Sequence, residues 1–208
     1  MFLRRSIFAL VFLVVCAPVR GDVVANRDFK VLRSVPRSDS PGKIEVIEYF
    51  SYGCPHCFDL HPLIIEWSAK LAKDVVFRRV AVSIGHRSWA ELARAYYTLE
   101  GTGNLARLDD ALFDAVHKER LRLTDKSSIS EWVGKQGIDA GEFAAAYSGF
   151  SVNTKVSGAE QTALNDRVNA LPTVVVAGKF AVLGRTHEDT LRIADELIAK
   201  ARAELAQR

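Results

Sequence analysis

The run YFSYGCPHCFDLHP, residues 49–62, sets two cysteines two residues apart between an alternating apolar segment and an amphipathic one. Ile44 to Phe50 (IEVIEYF) alternates and is rich in β-branched and aromatic side chains, which predicts a largely buried strand. Phe58, Leu60, Leu63, Ile64, Trp67 and Leu71 then recur at helical spacing. Pro62 falls inside that helix and is expected to kink it, because it denies the Phe58 carbonyl its partner. A strand running directly into a helix leaves Cys54 at the helix start, facing unpaired N–H groups and the positive end of the macrodipole. Pro55 suits the first turn, where its missing N–H costs nothing. Both influences favour the Cys54 thiolate, and His56 adds a positive charge or a donor. Cys57, one turn on, is expected beneath Cys54 as its partner.

The third cysteine, Cys16, belongs to a different feature. Arg4 and Arg5 precede an apolar run from Ile7 to Val15 that is far shorter than the roughly 20 residues of a spanning helix and suits a secretory signal. Residues 1–21 are therefore expected to be a signal peptide, with cleavage after Gly21 or as late as Ala25. Leu13-Val14-Val15 lacks the small residues expected before a lipidated cysteine, so Cys16 reads as part of the discarded signal. Cleavage after Gly21 removes Arg4, Arg5 and Arg20 and no acid, leaving 25 of the 28 basic residues against 25 acidic ones. The basic balance thus resides in the signal and gives no argument for nucleic-acid binding. The mature chain of roughly 185 residues, enough for one good core, keeps only the pair. A stabilising disulfide would close a long loop, and this one closes almost none. Its spacing points to reactivity.

Along the rest of the chain, Phe29 to Leu32 reads as a short strand and Val75 to Ile84 as a further one. Ser88 to Leu99 and Asn104 to Lys118 are amphipathic helices, and Ser128-Ile-Ser-Glu131 and Asp139-Ala-Gly-Glu142 carry the side chains of capping boxes that start two short helices. A long helix is expected over Asn153 to Asn169. Thr173 to Val176 and Phe180 to Leu183 flank Ala177-Gly178 as a hairpin, and Thr186 or His187 opens a last helix. The order is an α/β unit interrupted by a helical block.

Rival chemistries need other neighbours. A zinc site would have to recruit His61, one turn from Cys57, and a distant residue such as His86. Covalent haem attachment needs histidine directly after the second cysteine, where Phe58 stands. No metal and no bound cofactor is expected. His61, His86, His117 and His187 read as surface or capping residues.

EYFSYGCPHC, GHRSWAELARAYYTLE and LPTVVVAGKFAVLG together make the chain similar to the DsbA-type periplasmic thiol:disulfide oxidoreductases, over nearly its whole mature length. The resemblance implies a thioredoxin-like fold with an inserted helical subdomain: 22–84 as its first part, 85–165 as the insertion and 166–208 as its second part. It implies Cys54 and Cys57 as the catalytic pair, Pro55 and His56 as tuning residues, and a cis-proline loop of Leu171, Pro172 and Thr173 that binds substrate. It also matches Glu48 to a buried carboxylate, against the alternative of a solvated, edge-facing glutamate. If the nucleophile had a pKa near 4 instead of about 8.5, the reduced pair would be favoured by roughly 4 kcal/mol at pH 7, about 90 mV.

The implied activity is that of an oxidase: a substrate thiolate attacks Cys54, and a second substrate thiol resolves the mixed disulfide. Implied partners are unfolded exported proteins with free thiols and a quinone-linked inner-membrane oxidase resembling DsbB, with the protein itself a periplasmic monomer. An isomerase or reductase of the same fold, or an exported binding module with a structural disulfide, are the alternatives. Two departures stand out. Leu171 precedes Pro172 where many members carry valine or threonine, and Phe77, beside Arg78 and Arg79, falls where some members carry a lysine.

Overall fold

The computed structural model describes residues 22–32 and 42–207. The expected signal, with Arg4, Arg5, Ile7 to Val15 and Cys16, lies outside the described residues. Strands β1 (Phe29–Val31), β2 (Ile44–Phe50), β3 (Val75–Ala81), β4 (Thr173–Val176) and β5 (Phe180–Val182) form one sheet in the order β1-β5-β4-β2-β3. β2 is parallel to β3 and antiparallel to β4, and all seven of its residues are buried. Alternation along β2 then feeds two cores at once. Val46 packs with Leu60, Ile64, Val174, Ile193 and Leu197, whereas Ile47 and Tyr49 share a cluster with Leu92, Leu108, Leu112 and Val175.

Helices α1 (Pro55–Ser68) and α7 (His187–Ala206) supply the first of these cores. α2 (Arg87–Gly101), α3 (Leu105–His117), α4 (Lys126–Lys135), α5 (Ala140–Tyr147) and α6 (Phe150–Asn165) lie between β3 and β4 in the chain and bring their buried residues to the second. Tyr49 Oη donates to Asp166 at 2.6 Å and so ties β2 to the end of α6. α1 continues through Pro62. Among the described residues no helix is long and apolar enough to cross a membrane.

Several boundaries differ from the expected ones, each for a local reason. β3 stops at Ala81, because Ile84 (φ 41°) and Gly85 (φ 89°) turn the chain into α2. α6 runs from Phe150 to Asn165, and Arg167 at φ 55° cannot continue a right-handed helix towards residue 169. Asp125, not Ser128, is the N-cap of α4. The Asp125 carboxylate accepts from Ser128 N at 2.9 Å, and Ser128 Oγ accepts from Asp125 N at 3.3 Å. The capping box is thus closed by serine at its third helical position, and the Ser-x-x-Glu pattern falls a turn too late. Asp139 caps α5 as expected, accepting from Glu142 N at 2.7 Å, and Thr186 caps α7, accepting from Asp189 N at 3.1 Å.

The β4–β5 connection holds Ala177 (φ 54°) and Gly178 (φ 60°) in the left-handed region. Glycine enters that region freely, but alanine does so at roughly 1 kcal/mol or more. Ala177→Gly should therefore raise the unfolding free energy by about 0.5–1 kcal/mol, read as a higher urea midpoint at unchanged slope. A lower midpoint would mean that the methyl group contributes more by packing than the backbone loses by strain.

Candidate active site

β2 ends at Phe50, the Ser51 carbonyl accepts a hydrogen bond from Cys54 N at 3.1 Å across a tight turn, and α1 begins at Pro55. Cys54 is the N-cap residue of α1 and Pro55 opens its first turn. Both cysteines are free thiols, Cys54 3 % exposed and Cys57 fully buried. The Cys54 thiol is lowered to about 6. A hydrogen bond from the Cys57 thiol is the largest cause, burial opposes it, and the backbone N–H groups of Cys57 and His56 and the charge of His56 add to it. Cys57 moves the other way: burial first, then Cys54 and the charge of Glu48, push its thiol far up. One sulfur is poised to ionise and the other to hold its proton.

The second wall of the site comes from the far end of the chain. The Leu171–Pro172 bond is cis, and Leu171 O accepts from Cys54 Sγ at 3.4 Å. Thr173 follows as the first residue of β4, where it pairs with Tyr49, and its hydroxyl donates to Ala170 O at 2.8 Å. The Leu171 carbonyl is thereby brought against Cys54, with Pro172 and Thr173 following it in the chain.

Glu48 is fully buried, and this excludes the solvated reading. In the β2–β3 register it faces Arg79, while Phe77 faces Val46. Arg79 Nε donates to Glu48 Oε2 at 2.8 Å and Arg79 Nη1 to Asp109 Oδ2 at 2.6 Å, and the guanidinium lies 3.8 Å from the Phe50 ring centre. Tyr52 Oη donates to Asp109 Oδ1 at 2.5 Å. Burial pushes the Glu48 carboxyl up, against the pull of Arg79. For Arg79, burial disfavours the charge, but Glu48 and Asp109 outweigh it and raise the group. The two side chains pull in opposite directions, and the 2.8 Å contact in strand register argues for an ion pair.

Two histidine expectations need correcting. His61 is not at the surface: it is 6 % exposed, its Nε2 lies 2.7 Å from Asp110 Oδ1, and its ring sits 4.6 Å from that of Phe113. It lies one helical turn after Cys57 on the buried side of α1. His117 is partly buried, stacks on Phe58 and donates from Nε2 to Tyr52 O at 2.7 Å, bracing the active-site turn. His86 is exposed before α2 and His187 opens α7, in line with the reading for both. His56 is exposed beside Cys54. Among the described residues the thiols join no group of three candidate metal ligands. The zinc set of Cys54, Cys57, His61 and His86 is therefore not assembled. Sequence reasoning missed Arg79, Asp109 and Tyr52; the sole signal was a cation on the strand after Glu48.

The DSBA-like thioredoxin domain family matches residues 45–194. The chain belongs to this family. A thiol:disulfide interchange protein DsbA of Pseudomonas aeruginosa is 34% identical over 201 residues, 95% of each chain. One of Azotobacter vinelandii is 36% identical over 186 residues, 88% of this chain and 86% of its own. Among solved structures, P. aeruginosa DsbA superposes with a TM-score of 0.80 at 35% identity, covering 86% of this chain and 94% of that one. DsbA from Xylella fastidiosa does so with a TM-score of 0.81 at 32% identity, covering 87% and 98%. The fold is thus thioredoxin-like with an inserted helical block, and the protein is a thiol:disulfide oxidoreductase of the DsbA family.

With the Arg79 side chain 6 % exposed, Arg79→Met should strand the Glu48 carboxylate and cost about 3–5 kcal/mol, read by urea unfolding. Adding Glu48→Gln should return part of that loss. A cost near zero for Arg79→Met alone would show that Glu48 is neutral in the folded protein.

Proposed function

We propose that Cys54 and Cys57 form the redox centre of an oxidase that donates its disulfide to newly exported proteins. The carrying observation is the asymmetry of the pair, with Cys54 lowered to about 6 and Cys57 held up by burial. In the oxidised enzyme a substrate thiolate attacks Cys54 Sγ, the Cys54–Cys57 bond breaks, and Cys57 leaves with the electron pair and takes up a proton. A second substrate thiolate attacks the substrate sulfur of the mixed disulfide, forming the substrate disulfide and releasing Cys54 as a thiolate. Two electrons have entered the enzyme, and the released anion is the one that its surroundings stabilise.

Pro55, His56 and Glu48 are assigned as tuning residues, and Leu171, Pro172 and Thr173 as the loop that holds an extended substrate by its backbone. Reoxidation is assigned to a DsbB-like, quinone-linked membrane partner, which must accept the two electrons. The location proposed is the periplasm, after removal of residues 1–21, with 22–84, 85–165 and 166–208 as the domain plan. Five helices between β3 and β4 support that plan. A reductase or isomerase of the same fold would need the thiols kept reduced, and a binding module would need no reactive pair.

A Cys54 pKa of about 6 in place of an ordinary value near 9 favours the reduced pair by about 1.4 kcal/mol at pH 7, or about 30 mV. This is smaller than the figure for a pKa near 4 and has the same sign. Equilibration with glutathione, with thiolate absorbance followed on the same sample, should give a potential above the glutathione poise and a Cys54 midpoint near 6. A thioredoxin-like potential with a thiol midpoint near 7 would overturn the oxidase assignment in favour of a reductase.

The pH dependence of stability follows from the same group. Its folded pKa is depressed, so the contribution to the reduced protein is complete above the unfolded value near 9 and is lost as pH falls through about 6. Relative to Cys54→Ala, the reduced protein should lose stability between those two pH values when followed by denaturant unfolding. A flat difference across that window would mean that Cys54 is not ionised.

A further inference from the structure

The backbone beside Cys54 has a second close neighbour besides the Leu171 loop. A Cβ on Gly53, the residue before Cys54, would lie 2.3 Å from both Cδ1 and Nε1 of Trp89. Glycine is therefore required at 53 by the approach of an indole ring, which rests its edge on the backbone beside the reactive thiol. Trp89 comes from the first turn of α2, in the inserted helical block, and is only partly buried. The exposed ring of His86, in the loop that leads into α2, lies 4.3 Å from it at an interplanar angle of 35°. That loop is held by the Ser83 N–H donating to Glu160 Oε1 at 2.7 Å, which anchors it to α6. Two separate elements thus border the cysteine turn: the Leu171 carbonyl at Cys54 itself, and the Trp89 indole against Gly53 next to it, with the His86 ring against the indole.

We infer that His86 and Trp89 form a recognition platform for the side chain adjacent to the reacting cysteine of the substrate, favouring an apolar or aromatic residue there. This rests on the proposed redox role of Cys54. An extended chain whose cysteine reaches Cys54 carries its neighbouring residue about 3.3–3.8 Å along the backbone, and alternate side chains point to opposite sides. A neighbour directed towards Gly53 meets the two aromatic rings. Aromatic contacts of this kind hold their partners by area and quadrupole geometry without demanding one sequence, which suits an enzyme with many clients. The backbone-reading loop at Leu171 and the ring platform would then divide the work: the former accepts any extended chain, and the latter ranks chains by the residue beside the thiol.

The test uses the oxidised mature protein and two dithiol peptides that differ only in the residue beside the first cysteine, phenylalanine in one and glycine in the other. Dithiothreitol serves as a reference reductant without side chains. The rate constant for reduction of the protein should be about 3- to 10-fold higher for the phenylalanine peptide, the worth of one aromatic contact. Trp89→Ala should collapse that ratio towards one. His86→Ala, an exposed position where misfolding is not at issue, should reduce it partially. An unchanged ratio in both variants, or equal rates for the two peptides in the parent protein, would overturn the platform. Failure of the parent protein to oxidise dithiothreitol or either peptide would instead overturn the oxidase reading on which it rests.

Discussion

The contact of Cys54 Sγ with the Leu171 carbonyl at 3.4 Å joins positions 117 residues apart, and the arrangement of the molecule serves to make it. β2 carries the chain to Cys54 from one direction and β4 carries it away from Pro172 in the opposite one, the two strands being direct antiparallel neighbours. Because their register pairs Tyr49 with Thr173, the cysteine turn and the proline loop leave the same end of the sheet. After α1 and β3, the five helices of the insertion leave the sheet and the chain returns to it at β4. Loop-closure cost grows slowly with length, so a long excursion of this kind is tolerated without weakening the pairing.

The chemistry follows from an imbalance between two neighbouring sulfurs. Cys54 is a helix N-cap with backbone N–H groups and a histidine beside it, whereas Cys57 lies a turn deeper, without exposure and with Glu48 adding an unfavourable charge to its ionisation. A thiolate is stabilised in the first place and resisted in the second, so opening the disulfide yields an anion only where the surroundings favour one. The Glu48–Arg79–Asp109 chain beneath the pair keeps a charged cluster inside the fold, with Tyr52 and Phe50 closing over it. Such a cluster is costly in desolvation and is tolerated only with this many partners.

The inserted helices also shape the approach to the thiols. Trp89, in the first turn of α2, stands against Gly53 while the Leu171 carbonyl meets Cys54, so the insertion reaches the cysteine turn as well as the core. Family membership accounts for the fold and the redox chemistry.

The local devices were legible in the order of residues. Alternation made β2 a buried strand, the proline after Cys54 opened α1, Asp139 capped α5 and Thr186 capped α7, because each depends on residues within a turn or two of one another. Boundaries set by single left-handed residues, at Ile84 and Arg167, were not legible, since nothing in their side chains demands that conformation. Which distant groups meet was settled by the packing of the whole chain. Arg79 became the partner of Glu48 through the register of two parallel strands, Asp109 and Tyr52 joined them through the docking of α3, and His61 was drawn from an expected surface position into the interior. Register and helix docking are set by the simultaneous burial of two apolar faces, a condition on the whole chain that no short window contains.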